Sequence, residues 1–142
     1  MTNRPTVAIT MGDPVGIGPE IILKAMTKPE TREGARIFLI GQTRVFERAA
    51  ELCNLEIQMR TINEEGTNRA DSFDGVVDIL QVDGPAIPDL EFGKPSALAA
   101  EVAYLSIEKS VSLALAERID AVVTAPINKE EMSKCSNGFL RC

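Results

Sequence analysis

The sequence predicts an α/β fold, a largely parallel sheet flanked by helices. Three observations carry this expectation: short β-branched runs alternate with helical patterns, the helices are long enough to cross back over a sheet, and the composition suits one globular core. The chain has 142 residues, of which 44% are apolar and 25% charged. That balance excludes a chain too polar to build an interior.

Thr6, Val7, Ala8, Ile9 and Thr10 form a β-branched run that ends at Gly12, Asp13 and Pro14, the pattern of a buried strand entering a turn. A helix is expected from Pro19, because proline suits the first helical position and Ile21, Ile22, Ala25 and Met26 fall on one face. Pro29 is expected to stop it. Ile37, Phe38, Leu39 and Ile40 mark a second strand over residues 36–41, and Val45, Ala49 and Leu52 mark a second helix over residues 43–53. The opening therefore reads β-α-β-α.

Residues 55–60 alternate apolar and polar and read as a strand, and residues 76–82 supply another. The polar stretch 63–75 between them is the longest loop candidate, and Pro85, Pro88 and Pro95 punctuate a second. A long helix is expected over residues 96–118, with Leu98, Val102, Leu105, Val111, Ala114 and Leu115 recurring at three- and four-residue intervals. Ser96 suits its N-cap, and Glu101 lies early enough to suit its N-terminus. Asp120 opens a last strand through Ala121, Val122, Val123 and Thr124, which breaks at Ala125 and Pro126. A helix start follows at residues 128–132.

Residues 133–142 show neither helical nor strand periodicity. The expected organisation is a partial α/β domain over residues 1–132 and an atypical tail over residues 133–142, the product of truncation or a frameshift in a longer protein.

The formal charge is −6 and basic residues never cluster beyond a pair, which argues against nucleic acid or an anionic membrane as partner. No apolar run approaches the ~18 to 20 residues that span a bilayer, and residues 1–5 lack the apolar stretch of a secretory signal. A cytoplasmic location is expected. Cys53, Cys135 and Cys142 do not make a disulfide framework, and Cys53 reads as a small core residue. Histidine is absent, which removes the usual neutral-pH base and the commonest metal ligand.

Ligands of parallel sheets sit beyond the carboxyl ends of strands, so function is sought at residues 12–20 and 124–129. In the first segment, glycines allow close approach of main chain to a ligand and the helix start attracts anions. The same glycines also serve a plain tight turn. Neither the dinucleotide fingerprint nor a P-loop ending is present. Asp13 either orients a substrate or caps its own turn, while Glu20 reads as a first-turn residue complementing the helix dipole. In the second segment Thr124, Asn128 and Lys129 offer a hydroxyl, an amide and an ammonium, a set suited to a phosphate or carboxylate. The alternative is that Asn128 caps a helix and Lys129 is a solvated surface residue. The segments support each other only if their strands are neighbours.

Residues 11–20, Met-Gly-Asp-Pro-Val-Gly-Ile-Gly-Pro-Glu, and residues 120–129, which end in Thr-Ala-Pro-Ile-Asn-Lys, resemble the 4-hydroxythreonine-4-phosphate dehydrogenase (PdxA) family of vitamin B6 biosynthesis. Gly41 and the Gly93-Lys94-Pro95-Ser96 helix entry are similar too, and the likeness covers residues 5–132, the N-terminal part of the family. It implies a two-domain subunit of the isocitrate and isopropylmalate dehydrogenase type, incomplete here, in a homodimer whose cleft is completed by the partner subunit. It also implies NAD-dependent oxidation and decarboxylation of a phosphorylated hydroxy-amino acid, with a divalent metal polarising the reacting oxygens.

On that resemblance Asp13, Thr124, Asn128 and Lys129 are the candidates for binding substrate, while catalytic and cofactor-binding residues stay unassigned. The family holds its metal with three histidines, so no metal ligand carries over, and neither NAD nor metal is expected to bind tightly here. The expected function is that of a dehydrogenase part, inactive alone. The alternatives are part of a 4-phosphoerythronate or 4-phosphothreonate dehydrogenase, or a non-catalytic remnant that binds anions.

Overall fold

Alternation along the strands decides which helix covers which face. The computed structural model describes residues 4–71, 75–87 and 91–134. In chain order it forms β1 (Thr6–Thr10), α1 (Gly18–Met26), α2 (Pro29–Glu33), β2 (Arg36–Gly41), α3 (Thr43–Leu52) and β3 (Gln58–Ile62). A 3-10 turn (Glu65–Arg69), β4 (Val76–Gln81), α4 (Ala97–Leu115), β5 (Ala121–Thr124) and α5 (Lys129–Ser133) follow. The strands form one sheet in the order β3-β4-β2-β1-β5, and every pairing is parallel.

Val7, Ile9, Ile37, Leu39, Val77 and Ile79 project from one face and pack with Ile22, Leu23 and Met26 of α1 and Val45, Phe46 and Ala49 of α3. Ala8, Phe38, Ile40, Leu80 and Val122 project from the other face toward Leu105 and Leu113 of α4. The result is helix, sheet, helix. Full burial of a side chain such as Leu23 or Phe46 contributes ~1.5–3 kcal/mol, and a one-residue slip in register would exchange the two faces. Asp78, the charged residue of β4, is fully buried but answered by Arg60 at 2.6 and 3.1 Å and by the Asp71 backbone N–H at 3.2 Å.

The strand order places the site. From β1 the chain crosses to β2 on one side, whereas β5 arrives on the other side of β1 after α4 has crossed the opposite face. Right-handed crossovers running in opposite directions put their helices on opposite faces. The carboxyl ends of β1 and β5 therefore flank the crevice in which open parallel sheets bind ligands.

Strands β1 and β2 match their expected bounds, and several details differ. Ile21 is 43% exposed while Leu23 is fully buried, because the turn before α1 sets the helix rotation and spacing alone does not choose between adjacent apolar residues. Leu52 is likewise exposed, and Phe46 and Ala50 bury instead. Leu98, Val111 and Leu115 of α4 are exposed, and the helix buries Ala99, Ala100, Val102, Ala103, Ser106, Ser110 and Leu113 instead. α4 ends at Leu115, short of residue 118. Leu55 and Ile57 pack on the core before pairing begins, so β3 starts at Gln58. Pro29 opens α2 at its first turn, consistent with proline needing no N–H there. Cys53 is half-buried at the end of α3. Pro88, Cys135, Cys142 and the expected tail beyond residue 134 lie outside the described residues.

Candidate functional site

The two turns are bonded into one structure. Gly12 sits at φ +73°, and a Cβ there would stand 2.5 Å from the Pro126 carbonyl oxygen and 2.9 Å from the Ala125 Cβ. Only glycine permits both the backbone conformation and that approach. The Asp13 N–H then donates to the Pro126 carbonyl at 2.9 Å. A Cβ on Gly18 would stand 2.6 Å from the Met11 carbonyl oxygen, so the start of α1 is pressed equally close to the end of β1.

Within the first turn Asp13 closes its own loop. Its carboxylate accepts the Val15 N–H at 3.1 Å and its carbonyl accepts the Gly16 N–H at 3.0 Å. Burial pushes the half-buried Asp13 carboxyl above its ordinary pKa; the Val15 N–H draws it back and the Glu131 carboxylate adds to the rise. Among the described residues no side chain caps the start of α1; Pro19 has no N–H and the Ile21 N–H bonds the Ile17 carbonyl, which leaves the Gly18 and Glu20 N–H groups at the helix start for a ligand. Glu20 pairs with Lys24 at 2.5 Å on the outside of α1 and serves the helix rather than the crevice.

In the second turn Asn128 caps α5, its Oδ1 accepting the Glu131 N–H at 3.1 Å. That cap uses the amide oxygen and leaves the NH2 end for other partners. Lys129 follows, exposed and without an ion pair among the described residues. Asp13, Gly16, Ile17, Pro126, Ile127, Asn128 and Lys129 line one groove of about 600 Å³. Thr124 does not line it. That residue ends β5 opposite Thr10 of β1, exposed at the sheet edge.

Three of the four sequence candidates thus meet in one place. Sequence reasoning missed Pro126, which acts through its carbonyl, and Glu131, although Asn128 followed three residues later by Glu131 is a recognisable capping pattern. Val15 was also missed, since its contribution is made entirely by backbone. Among the described residues no three of His, Cys, Asp and Glu gather as a metal would require. With histidine absent as well, the residues present do not fit a metal centre. No helix among the described residues is long and apolar enough to cross a membrane.

The family model described as pyridoxal phosphate biosynthetic protein PdxA matches residues 33–139. This chain belongs to the PdxA family. A PdxA relative, the 4-hydroxythreonine-4-phosphate dehydrogenase of Trichlorobacter lovleyi, is 36% identical over 97% of this chain and 41% of its own length. A Clostridium botulinum protein named as a D-threonate 4-phosphate dehydrogenase is 33% identical over 99% of this chain and 41% of its own. The crystal structure of a PdxA-type 4-hydroxythreonine-4-phosphate dehydrogenase from Burkholderia phymatum superposes with a TM-score of 0.89 at 33% identity, covering 97% of this chain and 41% of that one. The chain therefore spans about two fifths of the length of these PdxA relatives, and the parallel α/β architecture is part of theirs.

Proposed function

We propose that this chain supplies one wall of the substrate cleft of an NAD-dependent 4-hydroxythreonine-4-phosphate dehydrogenase and does not turn over substrate alone. The observation that carries the reading is the Asp13 N–H bond to Pro126, which gathers Asp13, Asn128 and Lys129 around one groove at the divergence of β1 and β5. Membership of the PdxA family supports the reaction class.

In this reading the Lys129 ammonium neutralises a phosphate or carboxylate, and the Asn128 NH2 and the first N–H groups of α1 donate to its oxygens. Asp13 accepts a hydrogen bond from a substrate hydroxyl or ammonium, and its partial burial strengthens that contact. Thr124 donates from the rim. Oxidation of a secondary alcohol needs a hydride acceptor, and NAD belongs to the proposal in that role. No step through a metal is assigned to these residues. Pairing of two subunits and a cytoplasmic location complete the proposal, as does a domain boundary near residue 132.

The experiment replaces the matching segment of the Trichlorobacter lovleyi enzyme with residues 4–134 of this chain. NAD reduction with 4-hydroxythreonine 4-phosphate is expected in the chimera and absent from the 142-residue chain. A folded chimera that is inactive overturns the reading, and preference for D-threonate 4-phosphate instead would favour the related activity.

A further inference from the structure

The segment before α4 reaches back to the first turn. The Gly93 N–H donates to the Val15 carbonyl at 2.7 Å, and the Val15 N–H donates to the Asp13 carboxylate at 3.1 Å. The Asp13 N–H in turn donates to the Pro126 carbonyl at 2.9 Å. Four residues, Gly93, Val15, Asp13 and Pro126, are thereby joined by three hydrogen bonds, and Val15, between Gly93 and Asp13, is only 2% exposed. At the outer end the Arg48 guanidinium lies over the Phe92 ring, 4.1 Å from its centre. Arg48 belongs to α3, whose Phe46 and Ala49 are fixed in the core.

We propose that residues 91–93 are a positioning strap for Asp13: Phe92, clamped by Arg48, aims the Gly93 N–H at Val15, and Val15 holds the Asp13 carboxylate at the groove. Gly93 sits at φ +79° with open space where a Cβ would stand, so glycine there serves the direction of the backbone and not its packing. A strap fastened only for packing would not need that orientation. The backbone of Val15 transmits the position because its carbonyl is engaged by the strap and its N–H, in the preceding peptide group across the buried Val15 Cα, by the carboxylate it steers. Phe92 and Gly93 touch no substrate in this account. Their effect on binding passes through Asp13, so the inference rests on Asp13 lining the groove as proposed above.

Asp13 is also exposed to the charge of Glu131 on α5, and Lys129 borders the same groove. A test must therefore read Asp13 itself. Carboxyl 13C NMR of the 142-residue chain follows its titration, and amide exchange follows the Val15 N–H. F92A is expected to speed Val15 exchange about tenfold and to raise the Asp13 midpoint further, since the bond that draws it down is loosened. F92Y keeps the ring and is expected to restore both. R48Q leaves Phe92 in place and is expected to move both readings in the same direction, and it decides the matter if F92A unfolds. Superimposable titration and exchange curves for wild type and the informative variant overturn the strap, as does an F92Y that behaves like F92A. Because neither reading involves substrate, failure here is separate from failure of the chimera.

Discussion

The Asp13 N–H meets the Pro126 carbonyl at 2.9 Å, joining the exit of β1 to the exit of β5. Parallel pairing brings these strand ends side by side, with Thr10 opposite Thr124 as the last pair. Beyond that pair each chain turns away toward a helix on its own path, and the bond holds the two turns together where they diverge. The groove between them exists because Gly12 allows the approach.

Replacing Gly12 should therefore separate the turns. In G12A the left-handed backbone conformation alone costs about 1–3 kcal/mol, and the new Cβ meets the Pro126 carbonyl as well. Urea unfolding should show a loss at least that large, with faster amide exchange at Asp13. A stability equal to wild type would mean that the turns are not held by this contact.

Asn128 and Lys129 should part company in their effects. N128A removes the cap of α5 and should lower stability by about 1 kcal/mol. K129A, at an exposed position, should leave stability within about 0.5 kcal/mol yet weaken binding of phosphorylated acids. Denaturation and calorimetric titration on the same preparations check both.

The Asp13 carboxyl gives stability a pH signature. Its pKa is raised in the folded state, chiefly by burial, so the native protein holds that proton more tightly than the unfolded chain does. The contribution is fully present below the unfolded carboxylate range and is lost as pH rises through the raised folded value. D13N carries no charge to bury and should unfold at higher urea than wild type at neutral pH. The gap should close in acid, where Asp13 is itself neutral. A gap that widens in acid contradicts the sign.

Thr10 is fully buried at the end of β1, and its Oγ1 has no hydrogen-bond partner among the described residues. Leaving such a hydroxyl unpaired costs about 1–3 kcal/mol. T10V keeps the shape, removes the polar atom and should raise the urea midpoint. A T10V protein less stable than wild type would reveal a partner for the hydroxyl.

Strands were legible in the sequence because their apolar runs are short, β-branched and closed by Gly or Pro; β1 and β2 match to the residue. Helix faces were less so. Leu98, Val111 and Leu115 follow helical spacing, yet the buried side of α4 is made of Val102 and Leu113 with small alanines and serines, because spacing alone does not choose between adjacent apolar stripes. Asp13, Asn128 and Lys129 stand in the sequence as polar residues at strand exits and line one groove, while Thr124, read from the same segment, ends β5 opposite Thr10 outside that lining. The parts made by backbone, the Pro126 carbonyl and the Val15 peptide, carry no side-chain signature and emerge only when the strands are paired.

The central claim is that the two turns act as one anion site, and a phosphorylated hydroxy acid titrated into the 15N-labelled chain tests it directly. With 4-phosphoerythronate, amides of residues 12–20 and 127–129 should shift together along a single binding curve that K129A weakens. Shifts confined to one turn, two curves of different midpoint, or a response centred instead on the groove lined by Gln42, Thr43 and Asp83 would contradict it.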